Sequence, residues 1–195
     1  MPDPLYLSLW FPQFSTRDMM SRVLSVLHQF PFSANQPGIT HVGIHPVSWT
    51  EPTTLERRFR PGLDPEQAVA IAAEFTHVDY AYVFEAHWDL WVPDENTLRY
   101  SPERVRFIAH GTDFDDGAYQ QAGHIQVDLG LDEPFLFETP DEDEGAEARI
   151  RNNVQKLVAF TQAVEKNCGI SGRVLWSESD ENLAQKLIAR VQRVH

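Results

Sequence analysis

The chain has 195 residues, 29 of them Asp or Glu against 16 Lys or Arg, for a formal net charge of −13. With 42% hydrophobic and 23% charged residues it belongs with folded globular proteins, and disordered and fibrous classes are excluded. Cys168 is the only cysteine, which excludes an internal disulfide and any multi-cysteine zinc or iron–sulfur centre and fits a reducing compartment.

Leu5 to Phe11 reads as a strand. It is too short to span a bilayer and lacks the basic lead-in of a signal peptide, so a cytoplasmic protein without membrane contact is expected. Ser15 offers a helix cap, and Met19, Met20, Val23, Leu24, Leu27 and Phe30 follow at helical spacing until Pro31. Ile39 to Trp49 reads as a strand after the Pro37-Gly38 turn, with Thr53 to Phe59 as its hairpin partner. At the end of that partner, in ERRFRPG, Arg57, Arg58 and Arg60 form the only basic cluster, to which we assign local salt bridging. Three arginines in so acidic a chain make a poor nucleic-acid footprint, and no nucleic acid is expected as partner. Asp64, Pro65 and Gln67 then open a second helix.

Val78 to Val92 alternates along a long aromatic strand, followed by strands at Arg104–His110 and Gly123–Leu129 and a third helix over about Ala146–Asn167. A short strand at Arg173–Trp176 leads into a last helix striped by Leu183, Leu187, Ile188 and Val191. The order is β-α-β-β-α-β, then β-β-α-β-α, with no repeat and no low-complexity linker. One α+β domain over 1–195 is expected, largely antiparallel, with helices on one face. Its first half fits a ferredoxin-like pattern, and its second half extends the sheet.

Four residues could carry metal chemistry. Glu85 and His87 share one face of the long strand, and His124 and Asp128 share one face of a later strand. If the two strands were neighbours these groups could hold a divalent cation, as a metal-dependent hydrolase would require. The plainer reading is the wet face of an antiparallel sheet, because no ligand-spacing motif accompanies them. His41 and His45 flank Gly43, which we read as a bulge or bend. The GTDFDDG segment reads as a turn, since a calcium loop would need Gly at Ala118 and Glu at His124. Nucleotide-binding and serine-hydrolase motifs are absent, so no cofactor is expected.

Twelve of the acids lie between Phe107 and Ala148, a stretch without Lys or Arg, and the rest of the chain is close to neutral. Such a field repels nucleic acid and attracts a basic protein. The favoured expectation is therefore a non-catalytic cytoplasmic protein-binding module, of the inhibitor or immunity type. Its contact residues would be Asp141, Glu142, Asp143 and Glu144, with Trp91 as an aromatic anchor.

Overall fold

Alternation within the strands decides which side of the sheet each residue serves. In the computed structural model, which describes residues 1–139, 144–178 and 182–192, the longest strand, β4 (Tyr80–Asp94), turns Tyr82, Phe84, Ala86, Trp88 and Leu90 into the core. It turns Glu85, His87, Asp89 and Trp91 to the opposite face. β1 (Pro4–Trp10) buries Leu5, Leu7 and Leu9 in the same way. The remaining strands are β2 (Ile39–Pro46), β3 (Leu55–Leu63), β5 (Thr97–His110), β6 (Ile125–Leu131) and β7 (Gly172–Ser177). They form a seven-stranded sheet of order β3-β2-β4-β5-β6-β1-β7, antiparallel at every pairing.

The helices are α1 (Met19–Leu27), α2 (Pro65–Ala73), α3 (Tyr119–Ala122), α4 (Glu133–Leu136), α5 (Glu144–Asn167) and α6 (Leu183–Gln192). Five of them feed one hydrophobic cluster through side chains such as Met19, Ala72, Phe135, Leu157 and Leu187; α3 buries none. Trp88 lies at the centre, with the rings of Phe30, Phe135 and Phe160 at 5.4, 6.0 and 6.4 Å. The opposite face, which carries Glu85, His87 and Asp89 of β4, is called the open face below.

An α+β fold with a seven-stranded antiparallel sheet and six helices among the described residues is therefore the architecture. The strand order of the first half is not a ferredoxin-like one. That pattern would seat β1 among β2–β4, whereas β1 pairs with β6 and β7, because its fully apolar core edge is matched by Ile125, Val127 and Leu129. β5 also begins seven residues before the expected Arg104. A two-residue turn at Glu95-Asn96 joins Asp94 to Thr97, and Pro102 sits where β5 lacks its β6 neighbour, which pairs only over Arg106–Ala109. α2 starts as the sequence indicates, with Pro65 in its first turn and Gln67 Oε1 accepting the Asp64 N–H at 3.1 Å. α1 starts later than Ser15 suggests. Asp18 is its cap residue, and Ser15 donates to the Asp18 carboxylate at 2.9 Å.

Candidate functional site

Strand register arranges the open face into transverse rows. One of them runs Arg58, His41, Glu85, Arg106, Asp128, Tyr6, Trp176 across all seven strands. Glu85 and Asp128 are thus two strand spacings apart, about 10 Å at the backbone. Arg106, between them, donates Nη2 and Nε to Asp128 Oδ2 at 2.7 and 3.2 Å, and the other Asp128 oxygen accepts the Gly130 N–H at 3.0 Å. His124 lies just ahead of β6, four residues before Asp128 and about 13 Å away along the extended chain. It is stacked between Phe14 and Tyr119 at 4.3 and 4.9 Å, and its Nδ1 accepts the Phe11 N–H at 2.9 Å. Glu85 and His87 remain neighbours on β4. Among the described residues no group of three or more His, Cys, Asp or Glu side chains is placed to hold a metal ion.

The partner-binding candidates divide in a similar way. Asp141, Glu142 and Asp143 lie outside the described residues, as does the side chain of Glu144. Trp91 does face the open side, but Arg149 lies over its ring at 4.7 Å and Tyr100 packs against it at 4.9 Å. Tyr100 is the aromatic at this spot that meets solvent, 49% exposed. The acid-rich stretch is also not one surface. β6 runs through it and sets Asp113, Asp115 and Asp116 at one end of the strand and Asp132, Glu133 and Glu138 at the other, about 20 Å away. Within it, Asp128 is paired with Arg106 and Glu147 with Arg190, at 2.7 and 2.5 Å.

Gly43 sits in unbroken register with Val83, so it is neither bulge nor bend. A Cβ there would lie 3.3 Å from the His41 ring and 3.4 Å from the His45 ring, so the missing side chain is the space into which both imidazoles fold. His41 Nε2 meets Glu56 at 3.2 Å. Burial pushes the pKa of His45 below the usual histidine value. Cys168 is buried, and burial pushes its thiol pKa up, which leaves it a packing residue.

The sequence points to local salt bridging for the arginines of β3. Among the described residues Arg57, Arg58 and Arg60 make no ion pair. β3 is an edge strand, and its one neighbour in the sheet, β2, carries no Asp or Glu. Arg58 and Arg60 line a cleft of about 500 Å³ that is floored by Glu85 and His87 of β4 and closed at its far end by Arg104 of β5.

Two dipeptides build the rim. Pro37-Gly38 and Pro61-Gly62 press backbone on backbone: a Cβ on Gly62 would fall 2.3 Å from the Pro37 carbonyl oxygen, and one on Gly38 2.5 Å from that of Leu63. The facing wall, Asn35 to Pro37, is tied to β4 by Ser33. Its N–H donates to the His87 carbonyl and its hydroxyl to Asp89 Oδ1, both at 2.7 Å, while the same hydroxyl accepts the N–H groups of Asn35 and Gln36 at 3.1 Å.

Inside the cleft the ion pairing is loose. Arg104 Nη1 stands 3.7 Å from Glu85 Oε1, beyond hydrogen-bond range, with Arg104 58% and Glu85 15% exposed. His87 Nδ1 is shielded from water and has no hydrogen-bond partner. Burial also pushes the pKa of His87 down, so its ring is neutral near pH 7. Sequence reasoning reached Glu85 and His87 but missed Arg58, Arg60 and Arg104 as members of the same site. The available signal was a basic cluster ending in Pro-Gly, with a second Pro-Gly upstream to pack against it. Comparison with protein-family models, with curated proteins and with solved structures found no match to this chain.

Proposed function

We propose that the protein is a non-catalytic binding module and that the cleft between β3, β2 and β4 is its ligand site. The observation that carries this reading is the pair Arg58 and Arg60, without carboxylate partners among the described residues of a chain of net charge −13 and placed on the wall of a cleft. A cleft of this size falls within the range of small-molecule sites, about 300–1,000 Å³. Beside Glu85 and His87 on its floor, the polar groups that line it are hydrogen-bonding groups suited to binding: guanidinium donors, the side-chain amides of Asn35 and Gln36, and the Thr40 hydroxyl. The Thr40 hydroxyl donates to the Glu85 carbonyl at 3.4 Å and not to a base, which favours binding over catalysis.

The test is a titration of nitrogen-15-labelled protein with a small-molecule fragment mixture of mixed charge, read as amide shifts. The expected outcome is saturable shifts confined to Thr40, Phe59, Gly62 and His87. Shifts spread over the surface, or none at all, would retire the cleft as a binding site.

A further inference from the structure

Resting on that reading, we propose that the cleft recognises the oxyanion of a small organic molecule, a phosphate ester or a di- or tricarboxylate, gripped by Arg58 and Arg60 from one wall and Arg104 from the other. Four observations converge on this ligand class.

Three guanidinium groups face one carboxylate, Glu85, among the residues that line the cleft, so the site is positive inside an acidic molecule. The guanidinium fork matches the planar or tetrahedral oxygens of carboxylate and phosphate, and none of the three arginines spends its donors on a hydrogen bond to Glu85. Pro37, Phe59 and Pro61 add an apolar lining for a carbon body of modest size. Finally, the charge of the whole chain selects against large polyanions. A nucleic acid spanning tens of ångströms would meet the acids at the ends of β6, whereas a compact anion sits within about 8 Å of the arginines, inside the screening length of physiological salt.

His87 lines the same cleft beside Glu85, and burial keeps its ring neutral, so it does not offset the charge of the three guanidinium groups.

The experiment is isothermal titration calorimetry at about 50 mM salt, with pyrophosphate and citrate as the two anion probes and sucrose as a neutral control. Saturable one-to-one binding is expected for at least one anion and none for sucrose. Pyrophosphate alone marks a phosphate ester, citrate alone a polycarboxylate, and both together a general oxyanion site. Arg58→Ala combined with Arg60→Ala should weaken binding at least about tenfold, as loss of charge-assisted hydrogen bonds implies. The corresponding Lys pair should recover only part of it, because charge returns without the fork. Both arginines are exposed, so melting curves should be unchanged and binding can be read on folded protein.

Arg99→Ala, which alters an arginine outside the cleft that pairs with Asp94 at 3.1 Å, should leave the affinity as it was. An equal loss in Arg99→Ala would show diffuse charge attraction and overturn the assignment. If neither anion binds while the fragment mixture still shifts Thr40 and Phe59, the ligand class is wrong and the cleft stands; if the fragments also fail, both fall.

Discussion

Asn153 of α5 is 1% exposed, and its carboxamide does for β4 what an adjacent strand does elsewhere in the sheet. Its Oδ1 accepts the Trp91 N–H at 2.9 Å, and its Nδ2 donates to the carbonyls of Trp91 and Pro134, each at 2.7 Å. β2 pairs with β4 only as far as Glu85, so without this side chain the backbone at Trp91 would be buried and unpaired. Asn153→Ala should therefore cost about 3 kcal/mol, more than its few atoms of packing, because three hydrogen-bond partners are orphaned together. A urea midpoint lowered at constant slope is the expected reading, and an unchanged midpoint would show that water replaces the carboxamide without loss. This contact was not legible in the sequence, where Asn153 is one polar residue in a helix. Glu85 and His87 were legible as a shared face because strand parity is local. Their neighbourhood with Arg58 and Arg104 was not, since it depends on which strands pair.

Helices and strands were read with unequal success for a similar reason. The alternation of β4 and the stripe of α5 are periodic over many residues, and both elements stand where the sequence put them. The early part of β5 is polar and interrupted by Pro102, so nothing local marks it; it is a strand because β4 pairs with it along its whole length. The pairing order of β1 was hidden for the same reason, its partners being chosen by the shape of the finished core. α5 and α6 offer a measurable contrast in depth. Leu157 is fully buried among the central aromatics of the cluster, whereas Leu187 packs near the edge of the sheet beside β7. Leu157→Ala should cost about 3–5 kcal/mol and Leu187→Ala about 2 kcal/mol. Equal losses in denaturant midpoint would mean that α6 is as deeply anchored as α5.

At the scale of the whole molecule, histidines set the acid limit. Burial is the first cause that pushes the pKa values of His45, His87, His110 and His124 below the ordinary value. His110 is the most enclosed, with its Nδ1 donating to the Gly123 carbonyl at 2.9 Å. In the folded state these rings stay neutral, while in the unfolded chain they protonate near pH 6.5. The unfolded state thus binds more protons in the window below that value. The stability these rings contribute is fully present above about pH 6.5 and is lost as pH falls through the folded values. The urea midpoint should be level between about pH 7 and 8 and fall steadily from about 6.5 to 5. A midpoint that rises towards pH 5 would mean that at least one ring is held charged.

The position of β1 has a consequence for the order in which the molecule can be completed. Trp10 donates its indole N–H to Tyr119, 109 positions on, and Trp176 donates its own to Ser8, 168 positions back. A growing chain emerges from its N-terminal end, so the strand made first is the one whose two neighbours are made latest. Until then Leu5, Leu7 and Leu9 have no strand on either side to shield them, and the β4–β5 hairpin, whose ends lie close in sequence, is free to form ahead of them. β1 must therefore wait as an apolar strand, unpaired along both edges until β6 has been made and along one edge until β7 follows.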